Sequence, residues 1–148
     1  MVSELAPLVL FLKYLIDPGD FLIIEEPESH LHPESRRKLT ASIVKLIRAG
    51  VKVLITTHSD DFVQQLSNFI RLSQIPEEQR VKRGYSAKDY LSPEEVGAYL
   101  FELEWEKGGS FVKELAVSAE DGIPEEEFAR VTEALYKETV YLHRAVSR

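Results

Sequence analysis

The chain has 148 residues, which fits one domain, and its 44% hydrophobic and 29% charged residues exclude disordered and collagen-like classes. Its 25 acidic residues outnumber 18 basic ones, so bulk charge does not indicate nucleic-acid binding, although a local basic patch could still provide it. Since cysteine is absent, disulfides, thiolate metal sites and cysteine nucleophiles are excluded, and we expect a cytoplasmic protein.

Two apolar runs, 8–12 and 21–24, are the longest in the chain. Both fall far short of the roughly 20 residues that span a bilayer. The first seven residues carry no positive charge and include an acid and a proline, unlike a secretory signal. We therefore expect no membrane insertion and no export.

The first half of the chain shows a helix, strand, helix, strand pattern. Leucines and other apolar residues recur at helical spacing over 5–16, before the turn Asp17-Pro18-Gly19-Asp20. Residues 21–24 are uninterruptedly apolar, as in a strand covered on both faces of a parallel sheet. A helix follows from Pro33 to Gly50, and a second strand covers 51–56. The order predicts a parallel βαβ unit.

The second half predicts a different arrangement. Ser59 or Asp60 can cap a helix that ends near Ser73. Alternation on both sides of Lys107-Gly108-Gly109 predicts an antiparallel hairpin, and Asp121 to Pro124 open a last helix. The apolar stripe of this helix comprises Phe128, Val131, Leu135 and Leu142.

These patterns predict a single α/β domain over 1–148. We divide it into a motif-bearing core at 1–73, a surface connection at 74–96, and the hairpin with the last helix at 97–148.

Two adjacent acids, Glu25 and Glu26, follow the first buried strand. Ligands of open α/β sheets bind at this carboxyl end of the strands. Because successive strand residues point to opposite faces, one acid is expected to reach a metal while the other faces a substrate or a water. The alternative is the start of a solvated loop, where glutamate is ordinary.

The stretch Phe21-Leu22-Ile23-Ile24-Glu25-Glu26-Pro27-Glu28-Ser29-His30-Leu31-His32-Pro33 resembles the Walker B segment and D-loop of ABC-type ATPases. The likeness is to the branch of the overcoming-lysogenisation-defect proteins and SMC-like ATPases. Strand 51–56 with Thr57-His58-Ser59 is similar to the H-loop, and the helix opening at Ser3-Glu4-Leu5 is similar to a degenerate signature motif. The resemblance implies part of a P-loop NTPase fold.

It also implies roles for four residues. Glu25 would hold Mg²⁺, Glu26 would be the general base, and His58 would contact the γ-phosphate of ATP. Ser3 would contact the nucleotide of an opposite subunit, although a plain helix N-cap is the alternative. Glu25 stands where most of the family has aspartate, as does His32 in the D-loop.

The loop GxxxxGK[ST], which cradles the phosphates in such ATPases, is absent from the sequence. We therefore expect a truncated or split ATPase domain that starts near the signature motif. It would hydrolyse ATP with Mg²⁺ only if another chain, a complementary N-terminal ATPase polypeptide, supplied that loop.

Other interpretations stay open. The chain could be a non-catalytic interaction module that forms a homo-oligomer or covers a partner, since truncation would expose apolar surface. His30 and His32, with His58 as a distant third ligand, could form the transition-metal site of a His/Glu hydrolase. A basic cluster next to two tyrosines could touch nucleic acid or be a solvated mobile loop; it comprises Arg80, Lys82, Arg83 and Lys88.

Overall fold

The computed structural model describes residues 16–104, 108–124 and 126–146. The expected first helix and Ser3 therefore lie outside the described residues. Four helices and four strands follow in the order β1 (Phe21–Glu25), α1 (Pro33–Arg48), β2 (Lys52–Thr56), α2 (Asp60–Arg71), α3 (Glu77–Lys82), β3 (Ala98–Glu104), β4 (Gly109–Leu115) and α4 (Glu126–Val146).

The βαβ unit forms as the sequence predicts. Strands β1 and β2 pair in parallel, with Leu22 opposite Val53 and Glu25 opposite Thr56. Pro33 occupies the first turn of α1, and Gly50, with a φ of 97°, follows its last turn in the left-handed conformation that glycine adopts easily. The buried core beneath the sheet contains Leu39, Ile43 and Phe62 from the two helices, with Val53 and Ile55 packed against them.

The expectation that strand 21–24 is covered on both faces is wrong. Leu22 is buried towards the helices, whereas Phe21 and Ile23 are 62% and 59% exposed on the other face, next to Leu54. The reason is that α1 and α2 pack on one side of a sheet that has two strands in the described part of the chain. We call Phe21, Ile23 and Leu54 the open face.

A second core lies between α2 and the segment after it. Residues 74–96 differ from the expected surface connection, because they contain α3 and bury Arg80 and Leu91. Gly122 also lies inside, where its backbone approaches Ser67 of α2. The buried apolar members of this core are Val44, Val63, Phe69, Ile70, Leu72, Leu91 and Ile123.

Arg80 is a structural cation and not part of an exposed basic patch. Its guanidinium donates to the carbonyl oxygens of Leu72, Ile75 and Ala87 at 3.1, 2.9 and 2.8 Å, and it stacks over the ring of Tyr90. These bonds fix the turns on either side of α3. The cluster expected from the sequence therefore divides, with Arg80 buried and Lys82, Arg83 and Lys88 exposed.

Strands β3 and β4 form the expected antiparallel hairpin, in which Phe101 lies opposite Val112. Leu135 and Leu142 of helix α4 are exposed, so the described residues leave this part of the predicted apolar stripe uncovered. The side chains of Phe128 and Val131 lie outside the described set. Over the described ranges, the helices are all too short or too polar to cross a membrane.

Candidate functional site

Residues 25–30, here called the acid loop, turn sharply where β1 ends. The Glu26 backbone N–H donates to the Thr56 carbonyl at 2.9 Å and extends the sheet by one bond, and Ser29 N–H returns to the Glu26 carbonyl at 2.9 Å. Glu26 and His30 both have positive φ, 43° and 64°. Such backbone costs on the order of 1–3 kcal/mol for a residue with a Cβ, and it is found most often at functional sites.

The structure brings two of the predicted site residues together. His58 Nε2 lies 3.4 Å from Glu26 Oε1, and the Ser29 hydroxyl donates to Glu26 Oε2 at 3.0 Å. The side chains of His58 and Glu26 are 88% and 48% exposed. A carboxylate held at one oxygen and open to solvent beside an imidazole can accept a proton from a water, which is the geometry a general base needs.

Glu25 lies one residue earlier and on a different face. It continues the strand alternation of Phe21 and Ile23, so it belongs to the open face, and it is exposed at the carboxyl end of β1 beside Thr56 of β2. Glu25 is the residue that would hold a metal there, while Glu26 contacts His58. The backbone alternation thus separates the two acids, and their division into a metal ligand and a base stays a prediction.

Glu28 is a site residue that the sequence did not single out. It is 4% exposed, and the Thr57 hydroxyl donates to its Oε1. Its Oε2 is buried and has no hydrogen-bond partner in the part of the chain that the structure describes. Buried carboxylates are rare without pairing. The available signal was a third acid three residues after the strand, but its burial depends on the fold of the acid loop over the start of α2.

Arg36 was also missed. Its Nε donates to the Leu31 carbonyl at 3.0 Å, and its Nη1 reaches Ser59 Oγ at 3.5 Å and Asp61 at 3.4 Å. Ser59 in turn caps α2 by accepting from the Phe62 N–H at 3.3 Å. This side chain therefore links Leu31, which follows the acid loop, to the start of α2.

One of the histidines expected for a transition-metal site has a different role in the structure. His32 is the N-cap of α1, where its Nδ1 accepts from the Glu34 N–H at 3.4 Å. In the described portion of the chain, no three His, Cys, Asp or Glu side chains lie close enough together to hold a metal ion. This arrangement gives the His/Glu hydrolase no support. A Mg²⁺ ion, which is held by one or two carboxylates plus phosphates and waters, does not require such a cluster.

Comparison with known proteins points to one class of enzyme. Residues 2–63 match the model of the family described as AAA ATPase domain. The Nod factor export ATP-binding protein I of Burkholderia orbicola is 29% identical over 91 residues, which cover 62% of this chain and 29% of that protein. The protein of the same name from Burkholderia thailandensis is 28% identical over 108 residues, 73% of this chain and 34% of that protein.

The chain thus spans about a third of the length of these curated relatives. No solved structure matches it. The matched segment contains the acid loop and its partner turn at 57–59, so the likeness coincides with the candidate site. These findings show a likeness, at the level of the family, to ATPases of the AAA/ABC type.

Proposed function

We propose that this chain provides the metal, base and γ-phosphate-sensing residues of an ABC-type ATPase whose phosphate-binding loop lies outside these 148 residues. In this proposal Glu25 holds Mg²⁺, Glu26 is the general base and His58 contacts the γ-phosphate. Ser3 contacts a nucleotide bound by an opposite subunit. The acid loop then acts as a Walker B segment and D-loop of the kind found in proteins related to the overcoming-lysogenisation-defect ATPases.

The observation that carries the proposal is the 3.4 Å approach of His58 Nε2 to Glu26 Oε1 at the carboxyl ends of two parallel strands. Phosphoryl transfer to water needs a positioned acceptor for the water proton and a polar group near the terminal phosphate. Glu26 and His58 offer both from adjacent strands, and the relatives' names include ATP binding. Because GxxxxGK[ST] is absent from the sequence, the amides and lysine that cradle phosphates must come from elsewhere.

The test measures phosphate release with Mg²⁺ and ATP, first for the 148-residue chain and then for the chain joined to a segment bearing GxxxxGK[ST]. The DNA immediately upstream of the Met1 codon is the first place to look for that segment. We expect no turnover from the chain alone and Mg²⁺-dependent turnover from the combination. Glu26→Gln should lower kcat by about 10²–10⁴-fold, the usual contribution of a general base, with ATP binding retained.

Glu94→Gln is the matched control, since Glu94 is an exposed acid in a distant turn and should leave kcat unchanged. Two results would contradict the proposal. Turnover by the chain alone that Glu26→Gln abolishes would disprove the need for an external loop. Turnover by the combination that survives Glu26→Gln would disprove the role of the base.

A second candidate function is a non-catalytic interaction module that assembles with copies of itself. The open face favours it, because Phe21, Ile23 and Leu54 are all exposed, and so do Leu135 and Leu142 on α4. Contiguous exposed apolar surface commonly marks an interface.

Sedimentation velocity separates the two functions. The interaction module predicts an oligomer without nucleotide that Ile23→Lys dissociates, whereas Lys52→Glu on the same surface should have less effect because Lys52 is already charged. A monomer at all concentrations would exclude it, and assembly that requires Mg²⁺ and ATP would favour the ATPase.

A further inference from the structure

The contact between Glu28 and Thr57 joins the two turns that carry the candidate site. Glu28 lies two residues after Glu26, and Thr57 lies one residue before His58. The Thr57 hydroxyl donates to Glu28 Oε1 and accepts from the Ser59 N–H at 3.0 Å. A hydroxyl has one proton, and since the Ser59 N–H already occupies an acceptor site of this oxygen, its proton is directed at the carboxylate.

Thr57 is the one hydrogen-bond donor that Glu28 has among the described residues, because Oε2 is buried without a partner. A buried carboxylate that loses its last donor carries a large desolvation penalty. It relieves this penalty by moving to water. We expect Glu28 to reach water through an outward movement of the acid loop, which would carry Glu26 away from His58.

We propose that Glu28 is a positioning residue, which sets the separation of Glu26 and His58 through its hydrogen bond to Thr57. The inference rests on the proposed function, since Glu26 and His58 are its candidate catalytic pair. Glu28 itself is not proposed to contact nucleotide. The buried carboxylate makes the acid loop dependent on a single hydroxyl, and the hydroxyl belongs to the strand end that presents His58.

The test is NMR of the full 148-residue chain with labelled histidine, without nucleotide. His58→Gln identifies the His58 imidazole signals, and Glu26→Gln gives the position of those signals when no carboxylate faces the ring. We expect Thr57→Val to shift the His58 signals most of the way to their position in Glu26→Gln. Thr57→Ser, which keeps the hydroxyl, should leave them at the wild-type position.

A double variant separates positioning from general damage. Glu28→Met combined with Thr57→Val replaces both polar partners by apolar ones, so no buried charge remains to drive the loop outward. The His58 signals should then return towards wild type. Amide signals of the distant core residues Ile70 and Ile123 report whether each variant is folded.

Wild-type His58 signals in folded Thr57→Val would overturn the proposal, as would a double variant that shifts as far as Thr57→Val. If Thr57→Val does not fold, Thr57→Ala, which also removes the hydroxyl and keeps the Glu28 carboxylate, decides: shifted His58 signals support the proposal, and unshifted ones overturn it. No ATP is present, so failure here leaves the proposed function standing, and failure of the ATPase test leaves this result standing.

Discussion

Replacing Arg80 by methionine should destabilise the fold strongly, although arginine is ordinarily a surface residue. The side chain is 7% exposed and donates to three backbone carbonyls, and its guanidinium lies 4.6 Å from the centre of the Tyr90 ring. The Leu72 carbonyl keeps a second donor, the Ile75 N–H at 3.1 Å. The carbonyls of Ile75 and Ala87 lose the donor that Arg80 provides.

Two part-buried acceptors left unpaired cost about 1 kcal/mol each, at the low end of the range for buried groups, and the lost cation–π contact costs about 0.5–2 kcal/mol. Methionine fills much of the volume and avoids burying a charge, so we expect a net loss of about 3 kcal/mol in the free energy of unfolding. Urea denaturation followed by circular dichroism measures it. Arg83→Met, at an exposed neighbour, should stay within about 0.5 kcal/mol of wild type. A loss below 1 kcal/mol for Arg80→Met would refute the structural role.

Two further predictions concern a glycine and an acid. Gly122→Ala should lower the melting temperature markedly, because φ is 75° and an added Cβ would lie 2.5 Å from the Ser67 Cβ. Gly84→Ala is the control: its φ is 87° and nothing lies within 4 Å, so it should cost only about 1 kcal/mol. Burial raises the pKa of Glu95, but hydrogen bonds from the Ser92 N–H and the Arg48 guanidinium outweigh this and hold the pKa below 4.5. Glu95→Gln should therefore destabilise the chain by about 0.5 kcal/mol at pH 7. In an acid denaturation series, the difference from wild type should vanish as the pH falls through the lowered pKa of Glu95. A difference that grew in acid would contradict this.

The sequence predicted the βαβ unit well because its signals are local. Pro33 and Gly50 mark the ends of α1, and the β-branched residues of 51–56 predict a strand close in length to β2. The hairpin followed from alternation about Gly108. The sequence could not show how many faces of β1 are packed, since an apolar strand has the same sequence pattern whether one or both faces are buried. Phe21 and Ile23 are apolar yet exposed for that reason.

The residues of the candidate site were likewise only partly predictable from the sequence. Glu25 and Glu26 were predicted from their positions after a strand, and His58 from the resemblance of 51–59 to an H-loop. The parallel register then brings Glu26 and His58 into contact. Glu28 and Arg36 were not predicted, because each depends on a contact between segments more than twenty residues apart. Such contacts have no period or spacing in the sequence. A polar residue becomes informative only when the fold buries it.

Electrostatics favours the proposal that phosphate-binding donors come from another stretch of protein. The chain has a net charge of −7, and the acid loop concentrates Glu25, Glu26 and Glu28 at the end of β1, where the proposed function requires a triphosphate. Arg36, the cation that links this region to α2, is already engaged by Asp61. A triphosphate placed against these carboxylates is repelled unless Mg²⁺ bridges the charges and cationic or N–H groups surround the remaining oxygens. In the proposed function, the acids that would activate water therefore oppose the binding of ATP, and a phosphate-binding loop from another stretch of protein would resolve that conflict.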